Sequence, residues 1–300
     1  MISLICSSIR PEDAERLEKN IRETIGENVP FEFIAHDNRE DKLGLCKLYN
    51  MCAEKAQFDY LCFLHEDVQF DTQNWGEKII HKLSELSCGV VGFAGSDIKI
   101  KESKGWRVDK ANAHTYYIQH YKHRDKKNKS RFLNVSYKRY APVVTLDGMA
   151  LFVRKDVWQE IRFDQDTFTG FHCYDIDFSL AVAQHYDNYV CTDILVEHFS
   201  EGSFNSDWQA EQSKFNAKWE SEVPFYTHDF RKLSSEDQIY ISRYLDLKFT
   251  LKFTEGKSLS KVYRFIGEYP TKLKSWGLIS MYVFYKYFYT NKKMITVQNP

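Results

Sequence analysis

Three short stretches gather residue types that can hold a cation or move a proton: His65-Glu66-Asp67, Tyr174-Asp175-Ile176-Asp177 and Val196-Glu197-His198. The first directly follows an apolar run, Tyr60–Leu64. Carboxylates at the end of a buried strand are costly to desolvate unless they bind something. A divalent cation suits them. Mg²⁺ and Mn²⁺ take carboxylate oxygens together with substrate phosphates, and the cation removes the repulsion between a carboxylate and a diphosphate. Taken by itself, the stretch fits an exposed turn of ordinary acids equally well. The second stretch puts Asp175 and Asp177 in the first turn of an expected helix, whose dipole stabilises a carboxylate by ~0.3–1 kcal/mol. Capping explains one such acid. It does not require two behind a loop carrying Phe168, Phe171 and His172. Residues two apart on a helix point roughly 200° apart, so both acids cannot face one hydroxyl. Asp175 is nearer the loop and its cleft, whereas Asp177 is free to cap the helix or bond the loop. In the third stretch His198 can ligate a metal. A lone histidine is more often a packed or surface residue, but this one shares its strand-end position with the acidic stretch.

The elements that must position these residues follow from periodicity. Ile2–Cys6, Phe31–Ala35, Tyr60–Leu64 and Val90–Ala94 are short apolar runs of strand length. Between them, Ala14, Leu17, Ile21 and Ile25, then Leu45, Leu48, Cys52 and Ala56, then Trp75, Ile79 and Leu83, recur at helical spacing. Pro11 suits the first helical position, Glu12 and Asp13 suit its first turn, and Gly26 suits its end. Alternating strands and helices predict a mostly parallel central sheet flanked by helices, Rossmann-like in architecture. Ligands of such sheets bind beyond the carboxyl ends of the strands. Those ends carry Ser7-Ser8, His36-Asp37-Asn38 and His65-Glu66-Asp67. Residues 96–141 interrupt the rhythm with a polar, basic and aromatic excursion, expected to be a loop. Its run Lys122–Arg131 is either a solvated face or a flap that touches a phosphate or an acceptor. A strand over Met149–Val153, a helix from Tyr174, a strand over Tyr189–Val196 and a helix through Trp208, Phe215 and Trp219 are expected to follow. Past Pro224 the composition turns to Lys, Tyr and Phe. This divides the chain into a domain over residues 1–220 and an accessory, mostly helical region over 221–300.

Composition excludes several classes. A net charge of −1 argues against a protein built to coat nucleic acid. Seven scattered cysteines with no C-x-x-C pair give neither a disulfide framework nor a zinc ribbon, and fit a reducing, cytoplasmic setting. No apolar stretch reaches the ~18–20 residues needed to span a bilayer. Residues 258–293 mix Tyr, Phe, Trp and Ile with Lys, a composition suited either to peripheral contact with a membrane surface or to packing on the domain. Neither a G-x-x-x-x-G-K-[ST] motif nor a G-x-G-x-x-G after the first strand is present, which argues against a kinase or dehydrogenase.

Taken in order, the Ser after the first strand, Asp37-Asn38 after the second, His65-Glu66-Asp67 after the third, Leu146-Asp147-Gly148, Tyr174-Asp175-Ile176-Asp177-Phe178-Ser179-Leu180 and the late His198 resemble the family 2 glycosyltransferases of the GT-A fold. The similarity is greatest to a bacterial subgroup whose metal motif reads His-x-Asp, and it covers roughly residues 1–205. The resemblance implies a GT-A nucleotide-sugar-binding domain with a helical C-terminal extension. It implies that Asp67 and His198 ligate Mn²⁺ or Mg²⁺, and that Glu66 lies beside them toward the metal or the ribose. Ser7, Ser8 and Asp37 would line the nucleotide pocket, Asp37 reading a base N–H of a uridine. Asp147 and Gly148 would flank the donor sugar and acceptor, and Asp175 would be the catalytic base. The expected activity is metal-dependent transfer of a sugar, inverting, from a nucleotide-diphosphate sugar to a glycan or lipid-linked glycan. The expected setting is surface-glycan or polysaccharide assembly at the inner face of the cell membrane. His65 and Tyr174 both stand where relatives carry acids. These departures keep open a second reading, a nucleotide-sugar-binding protein with weak or no turnover.

Overall fold

The computed structural model describes residues 1–101, 103–108, 112–121, 129–133, 139–200 and 205–227, with Arg243, Tyr244, Leu247 and Glu268. Contacts divide the chain into Met1–Thr227 and His228–Pro300. The expected helical extension and the tail over 258–293 lie almost wholly outside the described residues, as do residues 122–128 of the basic run. Among the described residues no helix is long and apolar enough to cross a membrane.

The first unit opens with β1 (Ile2–Ser8), α1 (Pro11–Thr24), β2 (Phe31–Asp37), α2 (Leu45–Lys55) and β3 (Tyr60–His65). It continues through β4 (Val68–Phe70), α3 (Trp75–Leu83), β5 (Cys88–Gly92), β6 (Ala94–Ser96), β7 (Ile98–Lys99), β8 (Ala113–Gln119) and β9 (Lys129–Leu133). Then come β10 (Tyr140–Val143), β11 (Thr145–Leu146), β12 (Ala150–Arg154), α4 (Lys155–Glu160), α5 (Tyr174–Val182), β13 (Asp187–Cys191), β14 (Val196–His198), α6 (Ser206–Lys218) and β15 (Phe225–Tyr226). The central sheet has the order β10-β13-β5-β12-β3-β1-β2. β1 runs parallel to β2 and β3, and β13 runs parallel to β5. β12 enters antiparallel between β3 and β5, and β10 is antiparallel to β13. The fold is thus mixed α/β, a central sheet covered by helices.

Alternation along each strand divides the core between two faces. In β3, Leu61 and Phe63 join the residues of α2 and α5, while Cys62 and Leu64 join Leu17, Ile21, Trp75 and Ile79 of α1 and α3. α1 begins as its sequence dictates, with Pro11 in the first turn and Glu12 and Asp13 following, and it buries Ala14, Leu17 and Ile21. Gly26, at φ +112°, takes a conformation that L side chains rarely adopt and ends the helical segment. All seven cysteines are buried and free, acting as small hydrophobes.

Residues 96–141, expected to form a loop, instead supply strands to a second sheet of order β11-β6-β8-β14-β4, with β9 on β8. The polar composition conceals a period of two. In β8, Ala113, Thr115, Tyr117 and Gln119 are buried, while His114, Tyr116 and Ile118 are partly exposed. β14 pairs antiparallel with β4 and parallel with β8, so His198 stands opposite both Val68 and Gln119. That register positions the site.

Candidate active site

The ends of β1, β2 and β3 lie level, with Ser7 paired to His65 and Ser8 paired to Asp37. The chain turns at Glu66-Asp67 into β4, whose first residue faces His198. The backbone N–H of Phe199 donates to the Asp67 carbonyl at 2.9 Å, which locks the turn against the end of β14. The Gln119 side-chain amide donates to the carbonyls of His198 (3.1 Å) and Ser200. Two strand ends and one turn therefore bring His65, Asp67 and His198 together, with one potential ligand atom from each within 4.8 Å of the others.

The polar atoms of this group fit a cation. His198 Nε2 and Asp67 Oδ1 approach to 3.4 Å. Both are buried, and apart from this contact with each other neither atom makes a hydrogen bond of good geometry. Buried polar atoms are rarely left unpaired, because desolvating them costs ~1–3 kcal/mol. Two ligands converging on one ion would account for both. His65 Nδ1 lies 4.0 Å from the same Asp67 oxygen. Burial lowers the His65 pKa against the opposing pull of Asp67, which favours the neutral, ligating imidazole. Burial alone would raise the Asp67 pKa, but the two imidazoles outweigh it and hold the carboxyl below its ordinary range. The donor set, two imidazoles and a carboxylate, suits Mn²⁺ or another first-row divalent ion.

Asp175 is the second residue of α5, whose N-cap Cys173 takes a left-handed conformation (φ 63°). Its Oδ2 accepts the Gly148 N–H at 3.0 Å. Burial, reinforced by the charge of Asp147, pushes its pKa up to about 7. Asp177 lies on the other side of the helix, buried, and accepts from Trp219 Nε1 at 2.8 Å and Lys218 Nζ at 2.9 Å. It ties α5 to the end of α6 and not to the loop before its own helix.

Two clefts meet at the three-ligand group. One, of about 490 Å³, is lined by His65, Trp106, Asp147, Phe171, Asp175, His198 and Trp208 among others. The other, of about 460 Å³, is lined by Ser7, Ile9, Arg10, Leu45, Tyr49, Glu66 and Asp67, and shares His65, Phe171 and Ser200 with the first. The expected nucleotide residues are distributed unevenly across this frame. Ser7 lines the second cleft. Ser8 is buried and donates its hydroxyl to Glu66 at 2.9 Å. The same Glu66 oxygen accepts the backbone N–H groups of Ile9 (3.1 Å) and Arg10 (3.0 Å), so this carboxylate clamps the turn after β1. Asp37 sits at the end of β2, where Arg39 grips its exposed carboxylate and holds the pKa down at about 2. It lines neither cleft.

The structure gives three residues roles that the sequence did not assign. His65, read in the sequence as a departure from an acid, belongs to the ligand group. Arg10 reaches Glu66 (3.2 Å) and Asp67 (3.6 Å) and lines the second cleft. The signal for both was their place at a strand's carboxyl end, the region where such sheets bind ligands. Tyr174 is buried between the clefts and bonds His65. No sequence pattern marks it apart from its standing where an acid was expected.

A family model described as "Glycosyltransferase like family" matches residues 18–223. No curated protein matches the chain. Among solved structures, GalNAc-T7 with UDP, GalNAc and Mn²⁺ is 11% identical at a TM-score of 0.46, over 93% of this chain and 56% of that one. The mannosyltransferase PcManGT from Pyrobaculum calidifontis, in complex with GDP-Man and Mn²⁺, is 10% identical at 0.47, over 96% and 83%. S. aureus TarS 1–349 in complex with UDP-GlcNAc is 12% identical at 0.47, over 89% and 78%.

Proposed function

The chain belongs to the glycosyltransferase-like family, and on that premise we propose that residues 1–220 transfer a sugar, with inversion, from a nucleotide-diphosphate sugar to an acceptor hydroxyl. The observation that carries this reading is the buried pair Asp67 Oδ1 and His198 Nε2, which face each other at 3.4 Å without a good hydrogen bond, at the junction of two clefts. The donor nucleotide takes the cleft of Ser7 and Arg10, and the acceptor takes the cleft of Asp147 and Asp175. A divalent cation held by His65, Asp67 and His198 would offset the charge that grows on the departing diphosphate.

This chain's residues supply the rest. Arg10, held by Glu66, presents a guanidinium on the diphosphate side. Asp175 accepts the proton of the attacking hydroxyl. A carboxylate with a pKa near 7 is a stronger base than an ordinary one and is about half ionised at neutral pH, which suits general-base help worth ~10²–10⁴-fold. Gly148, whose N–H holds Asp175, fixes the direction of that carboxylate. We assign the nucleotide as uridine diphosphate and the setting as glycan assembly at the cytoplasmic face of a membrane. Asp37 is paired with Arg39 and lies outside both clefts. The test is transfer and donor hydrolysis with UDP-sugars, with Mn²⁺ or with EDTA. Turnover that needs the metal and is lost in Asp175→Asn supports the assignment. Donor binding without any turnover would favour a binding protein.

A further inference from the structure

We propose that Tyr174 is a positioning residue that fixes the protonation of His65, so that His65 Nδ1 is the atom offered to the cation. This deepens the metal-assisted reading and rests on it. The Tyr174 hydroxyl lies 2.7 Å from His65 Nε2 and 3.1 Å from the Gly148 carbonyl. A phenol has one proton. The carbonyl can only accept, so the proton goes to Gly148. The Tyr174 oxygen then accepts, and His65 must donate Nε2–H. In a neutral imidazole that Nε2–H is the single ring proton. Nδ1 is left as a bare lone pair facing Asp67 Oδ1 at 4.0 Å. Two lone pairs at that distance repel unless a cation lies between them.

The surroundings leave the phenol no other place. Its ring packs edge-on against Tyr49, with centroids 5.6 Å apart. A Cβ at position 148 would stand 2.0 Å from the hydroxyl oxygen, so only glycine fits beneath it. The same Gly148 peptide gives its carbonyl to Tyr174 and its N–H to Asp175 Oδ2 at 3.0 Å. One peptide unit thereby sets both the orientation of a ligand and that of the base. An acid at position 174 would hold an imidazole through a charge. The phenol holds it without adding a negative charge beside the diphosphate.

The experiment is Mn²⁺ calorimetry on the full chain, comparing wild type, Tyr174→Phe, His65→Ala and the double variant, alongside ¹⁵N spectra of the metal-free histidines. Partners that orient a ligating histidine are typically worth ~10–100-fold in metal affinity. Tyr174→Phe should weaken Mn²⁺ by that factor, shift His65 away from the Nε2–H form, and cost nothing further once His65 is alanine. Unchanged Mn²⁺ affinity in Tyr174→Phe overturns the proposal. So does an equal loss in the presence and absence of His65, which would mean that the phenol acts through packing. If Tyr174→Phe fails to fold, the wild-type spectrum decides, because a metal-free His65 protonated at Nδ1 contradicts the assignment. Asp67→Asn and His198→Ala separate the two levels. If these leave Mn²⁺ affinity intact, the metal reading itself fails. If they abolish it while Tyr174→Phe does not, only the role of Tyr174 fails.

Discussion

Replacing Asp175 with asparagine should stabilise the metal-free protein at pH 8 while removing its chemistry. Asparagine keeps the shape and can still accept the Gly148 N–H through its side-chain oxygen. What it removes is a carboxylate whose pKa burial and Asp147 have pushed from 3.8 to about 7. A carboxyl whose folded pKa lies above its unfolded value binds its proton more tightly in the native state, so its ionisation destabilises the fold increasingly as pH rises from about 4 to 7. At ~1.4 kcal/mol per pH unit, the difference sets an upper limit of about 4 kcal/mol. Asp175 keeps an opening to the cleft, and solvent screens part of this. With ~2–4 °C per kcal/mol for a domain of this size, Asp175→Asn should raise Tm by ~2–8 °C at pH 8, and the gain should vanish by about pH 4. The assay is a melting series in EDTA across that range, with turnover measured on the same samples. Turnover should fall by ~10²–10⁴-fold. A lower Tm at pH 8 would refute the burial argument. Near-native turnover would refute the assignment of the base and make Asp147 the next residue to test.

Three further outcomes follow from the same geometry. The kcat/KM of the wild type should fall as pH drops through about 7, because Asp175 must be ionised to act; a profile flat from pH 5 to 8 would contradict this. Asp177→Asn should lower Tm by loosening the contacts to Lys218 and Trp219 but leave turnover per folded molecule near wild type; a specific loss of kcat would put Asp177 in the chemistry. Gly148→Ala should weaken both Mn²⁺ binding and turnover, since its methyl would displace the Tyr174 hydroxyl and tilt Asp175; wild-type Mn²⁺ affinity in calorimetry would show that the site tolerates the methyl.

The first half of the fold was legible because its elements are built locally. Pro11, the Leu17–Ile21 spacing and the apolar run of β3 each declare themselves within one segment. The antiparallel entry of β12 was not legible, because nothing in Ala150–Arg154 specifies which neighbours it pairs with. The second sheet was hidden by composition. β8 carries His, Tyr and Gln at positions whose burial depends on partners far away in sequence. In the site, strand-end polarity pointed to Asp67 and His198, which the structure brings together, and the helix start pointed to Asp175. The bonds of Glu66 to Ser8, Ile9 and Arg10 were beyond reach, as were those of Tyr174 to His65 and Gly148, since each spans dozens of residues or more. Asp37 was read from its strand-end position, but its orientation is set by Arg39, two residues on.

The most direct measurement is UDP binding by calorimetry with and without Mn²⁺, in wild type and in Asp67→Asn. If His65, Asp67 and His198 hold the cation that receives the diphosphate, Mn²⁺ should tighten UDP binding in the wild type and have no such effect in the variant. Tight UDP binding that is indifferent both to EDTA and to Asp67→Asn would remove the cation from the site.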